Sequence, residues 1–370
     1  MDWCPELRGM MKNFKHYTML TAAFFCTSAI VMRAQSVKPG KLAKSASHEK
    51  AAALEPHLQA VVDQLKSMGG KPVNTLSAGE ARKQPSPADA VKALLQKQGK
   101  STAPEEVGNV QEKMIPGPAG PMKVRVYTPK GSGPFPVVVY FHGGGWVIAD
   151  LDTYDSSARA LTNAAGAVLV SVDYRQAPEN KYPAAAEDAY AATQWVMSHA
   201  QEINGKPGKV AVAGESAGGN LATVACLMAR DRKGMMPIYQ LLVYPIANFD
   251  PNTASYQDSG DGPILTKAMM IWFYQQYVND PEHAANQYVS PLQAASLKGL
   301  PPAMVLTDGF DVLRTEGMQY AAKLKKDGVA VTTKNYPAMT HEFFGMGAAV
   351  PEAKSAEQLA GAQLKAAFKR

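Results

Sequence analysis

Cysteine is scarce, with three residues in 370, at positions 4, 26 and 226. Two of them fall in an N-terminal stretch with the marks of an export signal, which leaves Cys226 alone in the remainder. A lone cysteine forms no intramolecular disulfide, so the fold must be stable on its packing. A basic block is also missing. The net charge of +6 comes from scattered Lys and Arg, and two of the six units belong to the first 35 residues. Nucleic acid is therefore not an expected partner. Past residue 35 no stretch is apolar for long enough to cross a bilayer, and no internal repeat is visible. What is present is an ordinary globular balance, 46% hydrophobic and 19% charged, in a chain long enough to bury a large core.

Lys12 and Lys15 precede an apolar run over residues 17–32, and Ala34 follows as a cleavage position. This is the pattern of a signal peptide over residues 1–34, although Met32 is large for its place and Arg33 unusual there. The rival is an uncleaved N-terminal membrane anchor, for which the run is short. Cys26 follows Phe24 and Phe25 rather than small residues, against a lipid-anchor site. The expectation is export, periplasmic or secreted, with no stable membrane partner once the signal is removed. Residues 35–115 read as a linker and N-terminal cap helices. Leu58, Val61, Val62 and Leu65 share one helical face, stopped by Gly69 and Gly70. Ala90, Val91, Leu94 and Leu95 form a second, between Ser86-Pro87 and Gly99.

Residues 116–370 carry a regular rhythm. Strands are expected at 122–128, 136–141, 167–173, 209–213, 239–244, 303–307 and 329–336. Helices are expected at 153–165, 183–199, 217–230, 313–326 and 355–368. Near-continuous apolar strands alternating with helices mean an α/β fold, a mainly parallel central sheet flanked by helices. One interval, about 246–300, has no strand signal. A loop of Asp, Asn and Gly there leads to a helix at 266–278, whose Met269, Met270, Trp272, Phe273, Tyr274 and Tyr277 give it an apolar face. It is expected to be a lid over the carboxyl edge of the sheet.

The motif that organises the rest is Gly214-Glu215-Ser216-Ala217-Gly218, set between an apolar β-branched run and an Ala-rich helix. Strand, sharp turn with one serine, helix: this is a nucleophile elbow. A serine nucleophile needs oxyanion donors, a base, and an acid to orient the base. His142-Gly143-Gly144-Gly145-Trp146 directly follows a strand. The expected donors are the N–H groups of Gly144 and Gly145, joined by that of Ala217, with His142 fixing the loop by hydrogen bonds. After Ser216 only His283 and His341 remain. His283 sits in a polar segment of the lid, whereas His341 follows the last strand, where a base must lie. Asp308 and Asp311 compete for the acid. Asp308 suits a turn before Gly309, and Asp311 suits the N-cap of the next helix; Asp311 ranks first. Such a serine mechanism needs no metal or organic cofactor, and none is expected; His341-Glu342 is not a zinc-protease motif, since no second histidine stands one helical turn on.

With HGGGW at 142–146, DYRQAPE at 173–179, YPAAAED at 182–188, GESAGG at 214–219, DVLR at 311–314 and HEFF at 341–344, the chain resembles the bacterial hormone-sensitive-lipase-like (family IV) esterases. These are a branch of the α/β-hydrolase superfamily, and the resemblance runs from about residue 56 to the C-terminus. It implies Ser216 as nucleophile, His341 as base, Asp311 as acid and a cap built from the N-terminal helices plus the lid. Trp146 is taken as substrate-binding. Three positions depart from the family pattern: Glu215 replaces Asp, Val312 replaces Pro, and Glu342 replaces Gly. A carboxylate beside the base either raises the histidine's pKa or points to solvent. The implied activity is hydrolysis of short- to medium-chain acyl esters, with a small-molecule ester as the partner and a homodimer left open. The alternatives are a deacetylase, amidase or peptidase with the same triad, and a non-catalytic small-molecule receptor.

Overall fold

Each of the seven apolar runs becomes a strand of one eight-stranded sheet. The structure is a computed structural model that describes residues 51–370, so the segment expected as a signal peptide lies outside the described residues. The strands are β1 (Asn109–Gly117), β2 (Gly120–Thr128), β3 (Phe135–Phe141), β4 (Val168–Val172), β5 (Gly205–Glu215), β6 (Gln240–Val243), β7 (Ala303–Phe310) and β8 (Val331–Thr340). Their spatial order is β1-β2-β4-β3-β5-β6-β7-β8. The β1–β2 and β2–β4 pairs are antiparallel and all others parallel. β1 is the strand that the apolar pattern does not reveal. It is an edge strand with Ile115 as its one buried residue, and Pro116 within it offers no ladder N–H. With no second face to bury, it needs no apolar run.

The helices are α1 (Pro56–Ser67), α2 (Ala78–Ala81), α3 (Pro87–Lys97), α4 (Asp155–Ala165), α5 (Ala184–Ser198), α6 (Ala217–Asp231), α7 (Ala254–Asp258), α8 (Lys267–Tyr277), α9 (Arg314–Lys326) and α10 (Pro351–Phe368). Side chains alternate across the sheet and build two cores. On one side Val137, Val139, Phe141, Val210 and Val212 pack with Ala189 of α5 and Leu221 of α6. On the other, Val138, Tyr140, Ala211 and Ala213 pack with Leu161 of α4 and Leu364 of α10. Both faces of the central strands are covered, which is why their sequences are continuously apolar. Among the described residues no helix is long and apolar enough to cross a membrane.

Two additions frame the carboxyl edge. The chain enters along β8, where Ala51 N–H donates to Pro337 O at 2.8 Å and Glu55 N–H to Ala338 O at 2.9 Å. Glu55 then caps α1 by accepting from Leu58 N–H at 2.9 Å. α1 and α3 join the second core through Leu58, Val61, Ala90 and Val91. The second addition is the interval between β6 and β7, which holds α7 and α8. Thr266 starts α8 by accepting from Met269 N–H at 3.1 Å, and Met270, Trp272, Phe273, Tyr274 and Tyr277 are buried. Leu58 is fully buried, so Leu58→Ala leaves a cavity and removes transfer free energy. The expected loss is about 2–5 kcal/mol of unfolding free energy, measured by chemical denaturation.

Candidate active site

β5 runs through Glu215, and Ser216 turns directly into α6 with φ 56° and ψ −119°. A residue with a Cβ is strained in that left-handed region. Packing holds it there: Ser216 N–H donates to Val243 O at 2.9 Å, and its carbonyl accepts from Asn220 N–H at 3.0 Å. The neighbouring glycines permit the crowding. A Cβ at Gly218 would lie 1.9 Å from Phe141 O, so no other residue lets α6 approach β3 so closely.

β8 ends at Thr340, and the next residue is His341. Its Nε2 lies 2.9 Å from Ser216 Oγ and its Nδ1 2.8 Å from Asp311 Oδ2. The carboxylate accepts only from a protonated Nδ1, which leaves Nε2 as acceptor for the serine hydroxyl. Asp311 follows β7, and its other oxygen accepts from Leu313 N–H at 2.9 Å. The N-cap of α9 is Leu313, with no side-chain cap, so Asp311 does not cap that helix; its bond to Leu313 N–H closes a turn ahead of it, and the carboxylate pairs with the histidine. Asp308 lies beside it, fully buried, with no donor to either oxygen among the described residues. His283, in the 3₁₀ turn after α8, packs on Tyr182 instead.

The glycine loop leaves β3 with His142 buried and stacked on Tyr174, ring centroids 4.4 Å apart. His142 Nδ1 lies 2.8 Å from Gly143 O, and Tyr174 donates to His142 O at 2.9 Å. Gly144 and Gly145 take φ of 93° and 59°. Together with Ser216 and His341 they line a cleft of about 550 Å³, walled by Leu65 and Pro87 from the N-terminal helices and Met269, Met270 and Phe273 from α8. Ala217 is the first residue of α6, where a helical N–H has no intrahelical partner. Trp146 is a correction. Its side chain is fully buried and does not line the cleft, because it stacks flat on Tyr277 at 4.1 Å and packs on Tyr274. Burial against α8 takes the indole off the substrate wall.

A family model of the α/β-hydrolase fold matches residues 138–345. The chain belongs to that family. Within it, this α/β hydrolase falls in the hormone-sensitive-lipase-like branch. It is similar to carboxylic ester hydrolase LipN of Mycobacterium tuberculosis, 45% identical over 64% of this chain and 65% of LipN. The match thus spans just under two thirds of that relative. Esterase LipI of the same organism is 41% identical over 67% of this chain and 78% of LipI. Among solved structures, a thermostable esterase from Pseudomonas putida superposes with a TM-score of 0.78 at 40% identity, covering 86% of this chain and 98% of that one.

In this hydrolase the acids around the serine differ in environment. Burial lowers the pKa of His341, but the Asp311 carboxylate, with Glu342 and Glu215, more than reverses it, so the net direction is up. Burial and the charge of Asp311 push Asp308 well above the usual carboxylate range, against the pull of Arg314. Asp308, Asp311 and His341 are the one group of such side chains compact enough to suggest a metal among the described residues. Both ring nitrogens of His341 are engaged by Asp311 and Ser216, which leaves no lone pair free for an ion.

Three contributors were not legible beforehand. Glu215 accepts from the hydroxyls of Tyr140 and Tyr244, each at 2.5 Å. Tyr154 reaches Glu342 from α4's N-cap position. Arg82 ties the N-terminal region to the glycine loop, donating to Val147 O and Ala177 O at 2.8 Å and pairing bidentately with Glu179. The tyrosines read as core in an apolar run, and nothing near Arg82 signals its partners. Burial, with the nearby Glu342 charge, raises Glu215 to about 8 against its tyrosine hydrogen bonds. The folded state then holds a proton that the unfolded chain releases above its ordinary value near 4.5. Stability from this group is full at low pH and falls between about pH 4.5 and 8, by up to about 1.4 kcal/mol per pH unit. Glu215→Gln is expected to flatten that decline, measured as unfolding free energy from pH 5 to 9 relative to the parent protein.

Proposed function

We propose that this α/β hydrolase is a serine carboxylesterase acting on short- to medium-chain acyl esters. The observation that carries the reading is the continuous chain from Ser216 Oγ through His341 to Asp311, at 2.9 and 2.8 Å, opening into one cleft with the glycine loop. The names of the relatives, carboxylic ester hydrolase and esterase, agree with it. His341 Nε2 takes the proton of Ser216 as Oγ attacks the ester carbonyl. The N–H groups of Gly144, Gly145 and Ala217 hold the oxyanion. Collapse of the tetrahedral adduct expels the alcohol, which receives the proton from His341, and leaves an acyl-Ser216. His341 then deprotonates water, the second adduct collapses, and the acid leaves as Ser216 regains its proton. Asp311 keeps the imidazole in the required tautomer and stabilises the imidazolium. A cleft of about 550 Å³ with methionines and Phe273 on its wall suits a small apolar acyl group.

Ser216→Ala is expected to abolish turnover of nitrophenyl esters while leaving the thermal midpoint intact, and activity in the parent protein to peak among short and medium chains. Asp311→Asn is expected to lower kcat by about 10⁴ through the wrong tautomer, and Asp308→Asn by far less. Steady-state kinetics of the three variants checks this; undiminished turnover in Ser216→Ala sinks the mechanism.

Export rests on the sequence of residues 1–34, with Lys12 and Lys15 ahead of an apolar run and Ala34 after it. Mass spectrometry of the protein recovered from its native cell is expected to find a chain beginning at Gln35. An intact N-terminus instead supports a membrane anchor.

A further inference from the structure

Glu342 occupies the position where the resembling esterases usually have glycine, and its backbone shows why glycine is suited there. Its φ is 69°, in the left-handed region where a residue with a Cβ is strained. The side chain is not directed away into solvent. It is 19% exposed and lines the cleft beside His341. Both of its oxygens lie 2.7 Å from the Tyr154 hydroxyl, and Oε1 lies 3.7 Å from His341 Nε2. Tyr154 is itself wedged beneath the glycine loop. A Cβ at Gly143 would fall 2.2 Å from its hydroxyl oxygen.

Among the described residues this carboxylate is the one ion-pair partner of the reacting nitrogen of His341, which also meets Ser216. Asp311 holds the opposite nitrogen, with Asp308 behind it and Arg314 acting on Asp308. The Tyr244 ring packs on the imidazole at 4.6 Å. Glu215 lies on the elbow side, bonded to Tyr140 and Tyr244. Burial and, less strongly, the Asp311 charge raise the Glu342 pKa, against the pull of His341 and the Tyr154 hydroxyl. No lysine or arginine contacts its carboxylate among the described ion pairs; His341 is its partner.

We propose that Glu342 is a positioning residue for His341: tied to Tyr154, its carboxylate faces Nε2 and stabilises the imidazolium formed when Ser216 is deprotonated. This rests on the triad proposed above. In that step the Ser216 O–H bond breaks and the His341 Nε2–H bond forms, and the same proton later passes to the leaving alcohol. Glu342 takes no proton; it acts through charge and through the shared tyrosine, which links the base to the loop carrying the oxyanion donors. A consequence follows for pH. The same attraction protonates resting His341 at a higher pH, and a protonated base cannot accept from the serine. Activity is therefore lost earlier on acidification than it would be with a neutral residue at 342.

The test is the pH dependence of kcat/KM in the parent protein, Glu342→Gln and Glu342→Gly, with an ester whose products are read independently of pH. Gln keeps an oxygen for Tyr154 without the charge; Gly relieves the backbone and decides the matter if Gln does not fold. The acid-side midpoint is expected to fall by about one pH unit in the variants, a tenfold change in the ionisation constant. A fall smaller than about 0.3 unit in every variant that folds overturns the proposal. NMR titration of His341 with Glu342 or Gln at 342, both in a Ser216→Ala background, separates this from the triad itself. A histidine that titrates at the same pH in both proteins defeats the positioning role, whereas turnover surviving Ser216→Ala defeats the triad.

Discussion

The left-handed backbone of Ser216 is the constraint on which the rest of the structure depends. A residue with a Cβ does not remain at φ 56° unless its neighbours leave it no alternative. β3, β6 and α6 supply that enclosure. Gly218 lies against Phe141 O, and Val243 O receives the serine N–H. The elbow thus serves two ends at once. It lifts Oγ above the sheet toward His341, and it points Glu215 back between Tyr140 and Tyr244, where it secures the floor.

The second ordering principle is the unequal treatment of carboxyl groups in a site poor in cations. Asp311 has a backbone N–H and an imidazole as donors. Asp308, three residues earlier, has no donor to either oxygen among the described residues, and burial raises its pKa well above the usual carboxylate range. Glu215 has two phenols and sits near neutrality at about 8. Identical chemistry is thus divided into different roles by hydrogen-bond supply, desolvation and neighbouring charge. The N-terminal region depends on the same economy of contacts, since Arg82 bonds Val147 O just after the glycine loop and, nearly a hundred residues along the chain, Ala177 O and the Glu179 carboxylate.

Much of the catalytic domain was visible in the chain because its strands are covered on both faces and so cannot hide among polar residues. β1 escaped for the converse reason, as an edge strand that buries only Ile115. The elbow, the glycine loop and the histidine after β8 were legible because each combines a rare residue with a strand end. Trp146 lies beside the glycine loop, a place that points to substrate, but Tyr277 offers it a flat aromatic surface that no local pattern discloses. Glu342 was legible only as an anomaly, with two opposite meanings for its side chain.

What the sequence determined by itself is the set of local commitments: alternating strand and helix, the tight turns at glycine, and the order serine, acid, histidine. These follow from backbone sterics and apolar periodicity, which act over a few residues. Only the tertiary structure decided which of two aspartates meets the imidazole, where the indole turns, and that Glu342 faces Nε2 rather than solvent. Those outcomes depend on desolvation and on hydrogen bonds between residues as far apart as Tyr154 and Glu342, and chain order places no limit on such partners.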